Sequence, residues 1–253
     1  MKRSTLLIIF SIKILFGACL TDHRKAPEKT IRDFKNKKGD VIRKITQRDT
    51  TLKSYKNGIL VSELTIKNGK KEGFGYNYYP GGNVSTKFSY LNNLKHGNEI
   101  KYYLSGKVYR IRPYFKGAIN GLVKKYYETG ALMSEQRYRK GQISNELREF
   151  NRKGKLAGKY PEIIFRLKPD NYFKQRVMLY FYLSNNSKNV KFYHGKLIEG
   201  KYFPEAAVQT GIRNGIGEIA LQPEDKGKTI NVIARTTTKF NNACIIQASY
   251  TFR

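Results

Sequence analysis

Between about Tyr55 and Gly154 the order of apolar, polar and glycine positions repeats at a constant interval of 24 residues. Gly58, Gly82, Gly106, Gly130 and Gly154 recur at that interval, as do Gly73, Gly97 and Gly121. Aromatic pairs keep step at Tyr78 and Tyr79, Tyr102 and Tyr103, Tyr126 and Tyr127, fading to Ser54 and Tyr55 before them and Phe150 and Asn151 after. Leu60, Val84, Val108, Leu132 and Leu156 form another column, and Ile66, Tyr90, Tyr114 and Tyr138 a further one. One unit, Gly121 to Gly141, reads as two short extended runs broken at Gly130 and again near Gly141. Alternate side chains of a strand share a face, so Leu132 and Tyr138 are expected on one side, and adjacent Tyr126 and Tyr127 on opposite sides. Each unit is thus predicted to be a two-stranded hairpin with aromatic surface on both faces. A lone hairpin is marginal in water, so the units are expected to stack into an elongated sheet.

The glycines fit turn positions with positive φ, where a Cβ costs about 1 kcal/mol or more. Where the columns break, the substitute is asparagine: Asn93 stands in step with Gly117 and Gly141, and Asn145 in step with Gly121. Asparagine tolerates such angles best among residues with a side chain, which supports turns over flexible linkers.

The phrase G-x-x-x-x-Y-Y-x-x-G-x-L/V, with its trailing Y-x-x-G, resembles the bacterial variant of the MORN repeat, found in lipoproteins and in proteins of the YwqK-type antitoxin family. The resemblance covers about two fifths of the chain and recurs in register. It implies a repeat scaffold for binding and no catalytic residues. The sequence differs from the eukaryotic MORN pattern in having no tryptophan, and it has the His-Gly step once, at His96 and Gly97.

The N-terminal stretch has a basic start at Lys2 and Arg3, an apolar run interrupted by Lys13, and small residues Gly17 and Ala18 before Cys19. This is the form of a secretory signal over 1–18. A cysteine after small residues resembles a bacterial lipobox, which would place a lipid anchor, palmitate included, on the Cys19 thiol and so tie the chain to a membrane. An ordinary signal peptide with an incidental cysteine is the other reading. About 16 residues are too few for a spanning helix, which needs about 20. Residues 19–48 are polar and basic and read as a tether, with an introductory strand from Asp40 to Thr46. The lipoprotein resemblance implies an acidic export signal just after the cysteine for surface-exposed members; only Asp22 stands there, so an outer-membrane position facing the periplasm is expected.

The repeats occupy 49–158. Basic side chains interleave with their aromatics, and Lys87, Lys101, Tyr103, Arg110, Arg112, Lys124, Lys125, Tyr127, Arg137 and Arg139 are the candidate surface for an anionic ligand or partner. Cations suit phosphate and rings suit stacking. Lysines on exposed strands also keep a sheet edge soluble, which is the competing reading. The net charge of +30 and a pI near 10.0 sharpen the first reading. A lipid-tethered body this basic would lie against an anionic surface. Nucleic acid fits electrostatically, but export of the chain argues against it.

Past Gly158 the periodicity stops. Residues 159–253 carry seven candidate strands: Glu162 to Leu167, Arg176 to Leu183, Val190 to Ile198, Ala207 to Ile212, Gly217 to Leu221, Thr229 to Arg235 and Cys244 to Phe252. Short strands with polar turns between them predict a β-sandwich, similar in outline to immunoglobulin-like modules. In the last strand Cys244, Ile246, Ala248, Tyr250 and Phe252 are expected on one face, with Gln247, Ser249 and Thr251 on the other. The chain is therefore read as all-β, an elongated stack of MORN-like hairpins followed by that sandwich.

No catalytic constellation stands out. His23, His96 and His194 are far apart, so no metal site is expected. There is no nucleophile elbow and no P-loop, so neither a cofactor nor a small-molecule substrate is implied. Cys244 is expected to be a buried thiol. Glu72, Glu99, Glu128, Glu135, Glu146 and Glu149 are read as local partners for the surrounding cations. The expectation is a non-enzymatic envelope lipoprotein that binds an anionic envelope component or another envelope protein. An antitoxin that binds a toxin, as the family resemblance suggests, and an enzyme acting on envelope glycans are the alternatives.

Overall fold

A computed structural model describes residues 30–35, 41–46, 50–171, 173 and 175–253. The expected signal segment and Cys19 lie outside the described residues. The described chain is all-β and antiparallel, with one short 3-10 turn at Pro223–Asp225. No helix among these residues is long and apolar enough to cross a membrane.

The first sheet runs in sequence order. It begins with β1 (Thr30–Lys35), β2 (Val41–Thr46), β3 (Thr50–Lys56), β4 (Ile59–Lys67) and β5 (Lys70–Tyr78). It continues through β6 (Val84–Leu91), β7 (Leu94–Lys95), β8 (Gly97–Tyr102), β9 (Val108–Phe115) and β10 (Ala118–Ile119). It ends with β11 (Gly121–Tyr126), β12 (Leu132–Arg139) and β13 (Gln142–Glu149). Thr30–Lys35, read from composition as tether, pairs instead along its whole length with β2.

Three devices repeat with the sequence. At Lys116 with Gly117, and at Lys140 with Gly141, both turn residues have positive φ, the condition for a type I′ turn whose twist matches the strands. Asn92 and Asn93 do the same, as the substitution pattern predicts. The second residue of each turn then bonds back to the unit before it: Asn93 N–H donates to Lys71 O, Gly117 N–H to Lys95 O and Gly141 N–H to Ile119 O, at 3.0, 2.8 and 2.8 Å. The second tyrosine of each pair stitches units in the other direction. Tyr79 donates to Tyr102 O, Tyr103 to Tyr126 O and Tyr127 to Phe150 O, at 2.7, 2.8 and 2.8 Å.

The third device is a β-bulge. Register shifts leave Val61, Ser85, Tyr109 and Met133 as the extra residue of their hairpins. A bulge reverses the face parity of what precedes it. Leu132 pairs with Tyr126 while Ser134 pairs with Lys125, so Leu132 and Tyr138 lie on opposite faces, contrary to simple alternation. Gly73, Gly97 and Gly121 each stand directly across from Tyr90, Tyr114 and Tyr138, which joins two sequence columns into one cross-strand pair. Asn145 is a second departure. It is not among the left-handed residues, and its N–H donates to Lys201 O at 2.9 Å.

The C-terminal part forms two four-stranded sheets. One contains β14 (Ile163–Pro169), β15 (Val177–Leu183), β18 (Ile212–Arg213) and β19 (Ile216–Leu221). The other contains β16 (Val190–His194), β17 (Val208–Gln209), β20 (Thr229–Thr237) and β21 (Ala243–Thr251). The single strand expected over Ala207 to Ile212 is therefore two short ones, on different sheets. Leu179, Phe181 and Leu183 of one sheet and Phe192, Val232 and Ala234 of the other share a fully buried core, with Ile246, Ala248 and Tyr250 packed against it.

The second sheet is covered on its other face too. Ile233 and Ile245 point away from the first core and pack with Leu197 and with Ile143 of β13, beside Tyr138. A strand buried on both faces reads as a continuous apolar run, which accounts for the Val232 to Ala234 and Cys244 to Ile246 stretches. The C-terminal unit thus sits on one face of the repeat sheet at its last two strands. The loop after β16 also pairs with that sheet's edge, through Ser144 with Tyr202 and through Phe203 N–H to Ile143 O at 2.8 Å.

Candidate functional site

The register places Thr86, Lys101, Arg110, Lys125 and Ser134 in one row across neighbouring strands, all on the face the C-terminal unit partly covers. Arg112 lies two positions along from Arg110, across from Glu99. Where the covering unit stops, all of these side chains except Thr86 line a cleft of about 350 Å³. Lys101, Arg110, Arg112 and Lys125 provide the charge, and Tyr109 and Tyr138 provide rings. Asn241 and Asn242, from the loop between β20 and β21, and Ala243, the first residue of β21, complete the far wall.

That loop is fixed by polar contacts. Lys125 Nζ donates to Asn241 O at 2.9 Å, and Gln136 Nε2 donates to Ser144 O at 2.9 Å and Ala243 O at 3.0 Å. The buried Glu149 carboxylate accepts from Thr238 Oγ1 and Asn242 Nδ2, each at 2.5 Å. Buried polar groups with such partners hold a unique docking geometry.

A single carboxylate underlies the cations. Glu99 is 7% exposed and meets Lys95 Nζ at 2.5 Å, Arg110 Nη2 at 3.3 Å and Arg112 Nη1 at 3.5 Å. Burial alone would raise its pKa, but the Lys95 hydrogen bond and the charges of Lys95, Arg112 and Arg110 hold the carboxyl below its ordinary value. Lys125 shows the opposite imbalance. Burial, with Arg110 and Arg112 nearby, pushes its ammonium below the usual lysine value, and Glu149 offsets this only in part. Arg110 Nε is buried with no hydrogen-bond partner. All four charged side chains that line the cleft, Lys101, Arg110, Arg112 and Lys125, are cations.

Of the ten candidate surface residues, the structure brings four together: Lys101, Arg110, Arg112 and Lys125. Tyr103 and Tyr127 spend their hydroxyls on the inter-unit stitches, and Tyr103 packs edge-on to Tyr109 with centroids 5.1 Å apart. Lys87, Lys124, Arg137 and Arg139 lie on the opposite face. There Lys87 sits over Phe74 at 4.2 Å, Lys124 is across from Glu135, Arg137 meets Glu146 at 3.5 Å, and Arg139 meets Glu199 at 2.7 Å.

The acidic residues behave largely as local partners. Glu135 takes Arg148 at 2.8 Å and Glu146 also takes Lys201 at 2.7 Å, whereas Glu72 and Glu128 accept from Asn92 N–H and Ser105 Oγ. Cys244 is buried, and burial with Glu149 nearby pushes its thiol up to about 11. Among the described residues no group of three or more His, Cys, Asp or Glu could hold a metal ion.

Sequence reasoning missed Tyr109, Gln136, Asn241 and Asn242. Tyr109 was legible in principle, since it occupies the bulge position that recurs at Ser85 and Met133. The asparagine loop comes from more than a hundred residues away and left no local sign. Compared with known proteins, the chain matches no family model and no curated protein sequence.

Proposed function

We propose that this chain is a non-enzymatic binding or scaffold module of the bacterial cell envelope, tethered through a lipid on Cys19 and offering one face of its repeat sheet to an anionic partner. In this reading the repeats are a MORN-like stack and the C-terminal unit an immunoglobulin-like β-sandwich that braces its end. Lipopolysaccharide or phospholipid head groups, a cell-wall polymer or an acidic protein surface are the partners whose chemistry fits. The observation that carries the reading is the gathering of Lys101, Arg110, Arg112 and Lys125 on one face, where only Arg110 and Arg112 meet a carboxylate and share it. On the other face Arg137 shares Glu146 with Lys201, and Arg139 meets Glu199.

The test compares faces. Adsorption to phosphatidylglycerol vesicles is measured against salt for Lys101→Gln with Lys125→Gln, and for Lys87→Gln with Lys124→Gln. Each cation near an anionic surface contributes about 1 kcal/mol, so the first pair should weaken binding about tenfold or more and flatten its salt dependence. Equal losses from both pairs would remove the distinction between the faces. Palmitate labelling of wild type and Cys19→Ser checks the tether, and an unlabelled wild type ends that part of the reading.

A further inference from the structure

We infer that the cleft between the repeat sheet and the loop at Asn241–Ala243 is a binding site for a phosphate monoester, its dianionic head held by Lys101, Arg110, Arg112 and Lys125 and its organic part lying against Tyr109 and Tyr138. This deepens the reading above and rests on it.

The repeats provide their own control. One unit earlier, the positions of Glu99, Lys101, Arg110 and Arg112 are held by Gly75, Asn77, Thr86 and Phe88. One unit later, three of them are Val123, Ser134 and Gln136. The fourth, Lys125, belongs to the cleft itself; at the other seven positions the frame is built with neutral side chains, so the cations are not a requirement of the fold. They appear where the C-terminal unit adds a wall.

Their placement is costly without a ligand. Lys101, Arg110 and Lys125 are direct cross-strand neighbours on strands about 4.8 Å apart, and like charges so placed repel. Counting Lys95, Lys101, Arg110, Arg112 and Lys125 against Glu99 and Glu149 gives 5 − 2 = 3 positive charges in excess. A carboxylate would offset one of these. A phosphate monoester, carrying about −1.5 to −2, offsets most of them.

Donor geometry points the same way. The Arg110 and Arg112 side chains remain 20% and 28% exposed, and a guanidinium edge presents paired donors that suit two oxygens of a tetrahedral anion. The desolvated ammonium of Lys125 lacks full compensation, which an oxyanion would supply. At about 350 Å³ the cleft exceeds what a bare phosphate fills and falls at the small end of ligand sites, about 300–1,000 Å³. Lys101 Nζ lies 5.8 Å from the Tyr109 ring, so charge and ring surface are adjacent.

The experiment is calorimetric titration of the full chain with inorganic phosphate, ribose 5-phosphate and acetate, with vesicle adsorption alongside. Phosphate should bind, and acetate at least about tenfold more weakly, a gap of about 1.4 kcal/mol. Lys125→Gln should lose phosphate affinity about tenfold or more, and Tyr109→Ala should weaken ribose 5-phosphate more than inorganic phosphate. Arg110→Lys keeps the charge but removes the paired donors of the guanidinium; it should lose phosphate affinity while still adsorbing to phosphatidylglycerol, and it serves if Lys125→Gln fails to fold. Lys87→Gln should bind phosphate as wild type does. Release of the chain from phosphatidic acid vesicles by inorganic phosphate would put the group on a lipid. Tight ribose 5-phosphate binding without such release would put it on a soluble ester, and either result supports the site. No phosphate binding, acetate binding as tightly, or unchanged affinity in Arg110→Lys and Lys125→Gln overturns it. If phosphate fails while phosphatidylglycerol adsorption still depends on Lys101 and Lys125, the cleft inference falls and the face reading stands.

Discussion

The hairpins β5–β6 and β8–β9 share one backbone plan and differ in what fills it. In the first, Gly75 makes room for an aromatic ring: a Cβ there would lie 2.4 Å from Phe88 Cε2. In the second, Glu99 takes the glycine's place and Arg112 the phenylalanine's, so an apolar contact becomes an ion pair. The turns, the bulges and the tyrosine stitches are the same in both. Fold specification therefore resides in those shared devices, and the in-between positions are free to change chemistry. That freedom is what allows a charged cleft on a structural repeat.

The largest effect should come from removing what the second hairpin has and the first lacks. Glu99→Gln leaves Lys95, Arg110 and Arg112 without their shared anion and should cost about 2–4 kcal/mol in chemical unfolding. The value sits low in the range for a buried pair because the three partners are partly exposed and screened. Because the folded pKa of Glu99 is depressed, its contribution is present above the ordinary value of 4.5 and is lost as pH falls through the lower folded value. Wild type should accordingly lose more stability than Glu99→Gln on acidification below that point. Equal acid sensitivity would show that Glu99 is not the anchor of the charged hairpin.

Gly75→Ala breaks the first hairpin from its own side. Forcing a methyl against the Phe88 ring should lower stability by about 1–3 kcal/mol, and Gly75→Ala with Phe88→Ala should recover part of it. A further pair of changes tests what the hairpins share. Gly106 has φ +83 with open space around its Cβ position, so Gly106→Val should cost about 1–2 kcal/mol through backbone strain alone, and Gly82→Val the same. Tyr103→Phe removes one stitch and should cost about 1 kcal/mol, matched by Tyr79→Phe. Unequal costs between equivalent positions in thermal melts would mean that the plan is not shared.

Much of this plan was legible because it is local. Turn glycines, paired tyrosines and their spacing each leave a mark within one unit, and the marks repeat. The faces of Leu132 and Tyr138 were not legible, because one bulge residue per hairpin reverses the parity that alternation assumes, whereas the ten candidates divide between two sides by plain alternation, as adjacent Lys124 and Lys125 show. Asn145 shows a related limit. It keeps step with Gly121, yet the incoming loop at Lys201 pairs with it and sets its conformation. The cleft's second wall depends on contacts such as Gln136 with Ala243, and no local pattern encodes those.

The strand pairing that the loop after β16 makes with β13 gives the sheet a finished end. Copies of the unit cannot be appended there without evicting Tyr202 and Phe203, so array length is adjustable only upstream. Duplicating one 24-residue unit ahead of Gly73 would add a rung while keeping the same neighbours around Lys101, Arg110 and Lys125. The length of the array and the chemistry of the cleft could thus evolve as separate traits of one gene.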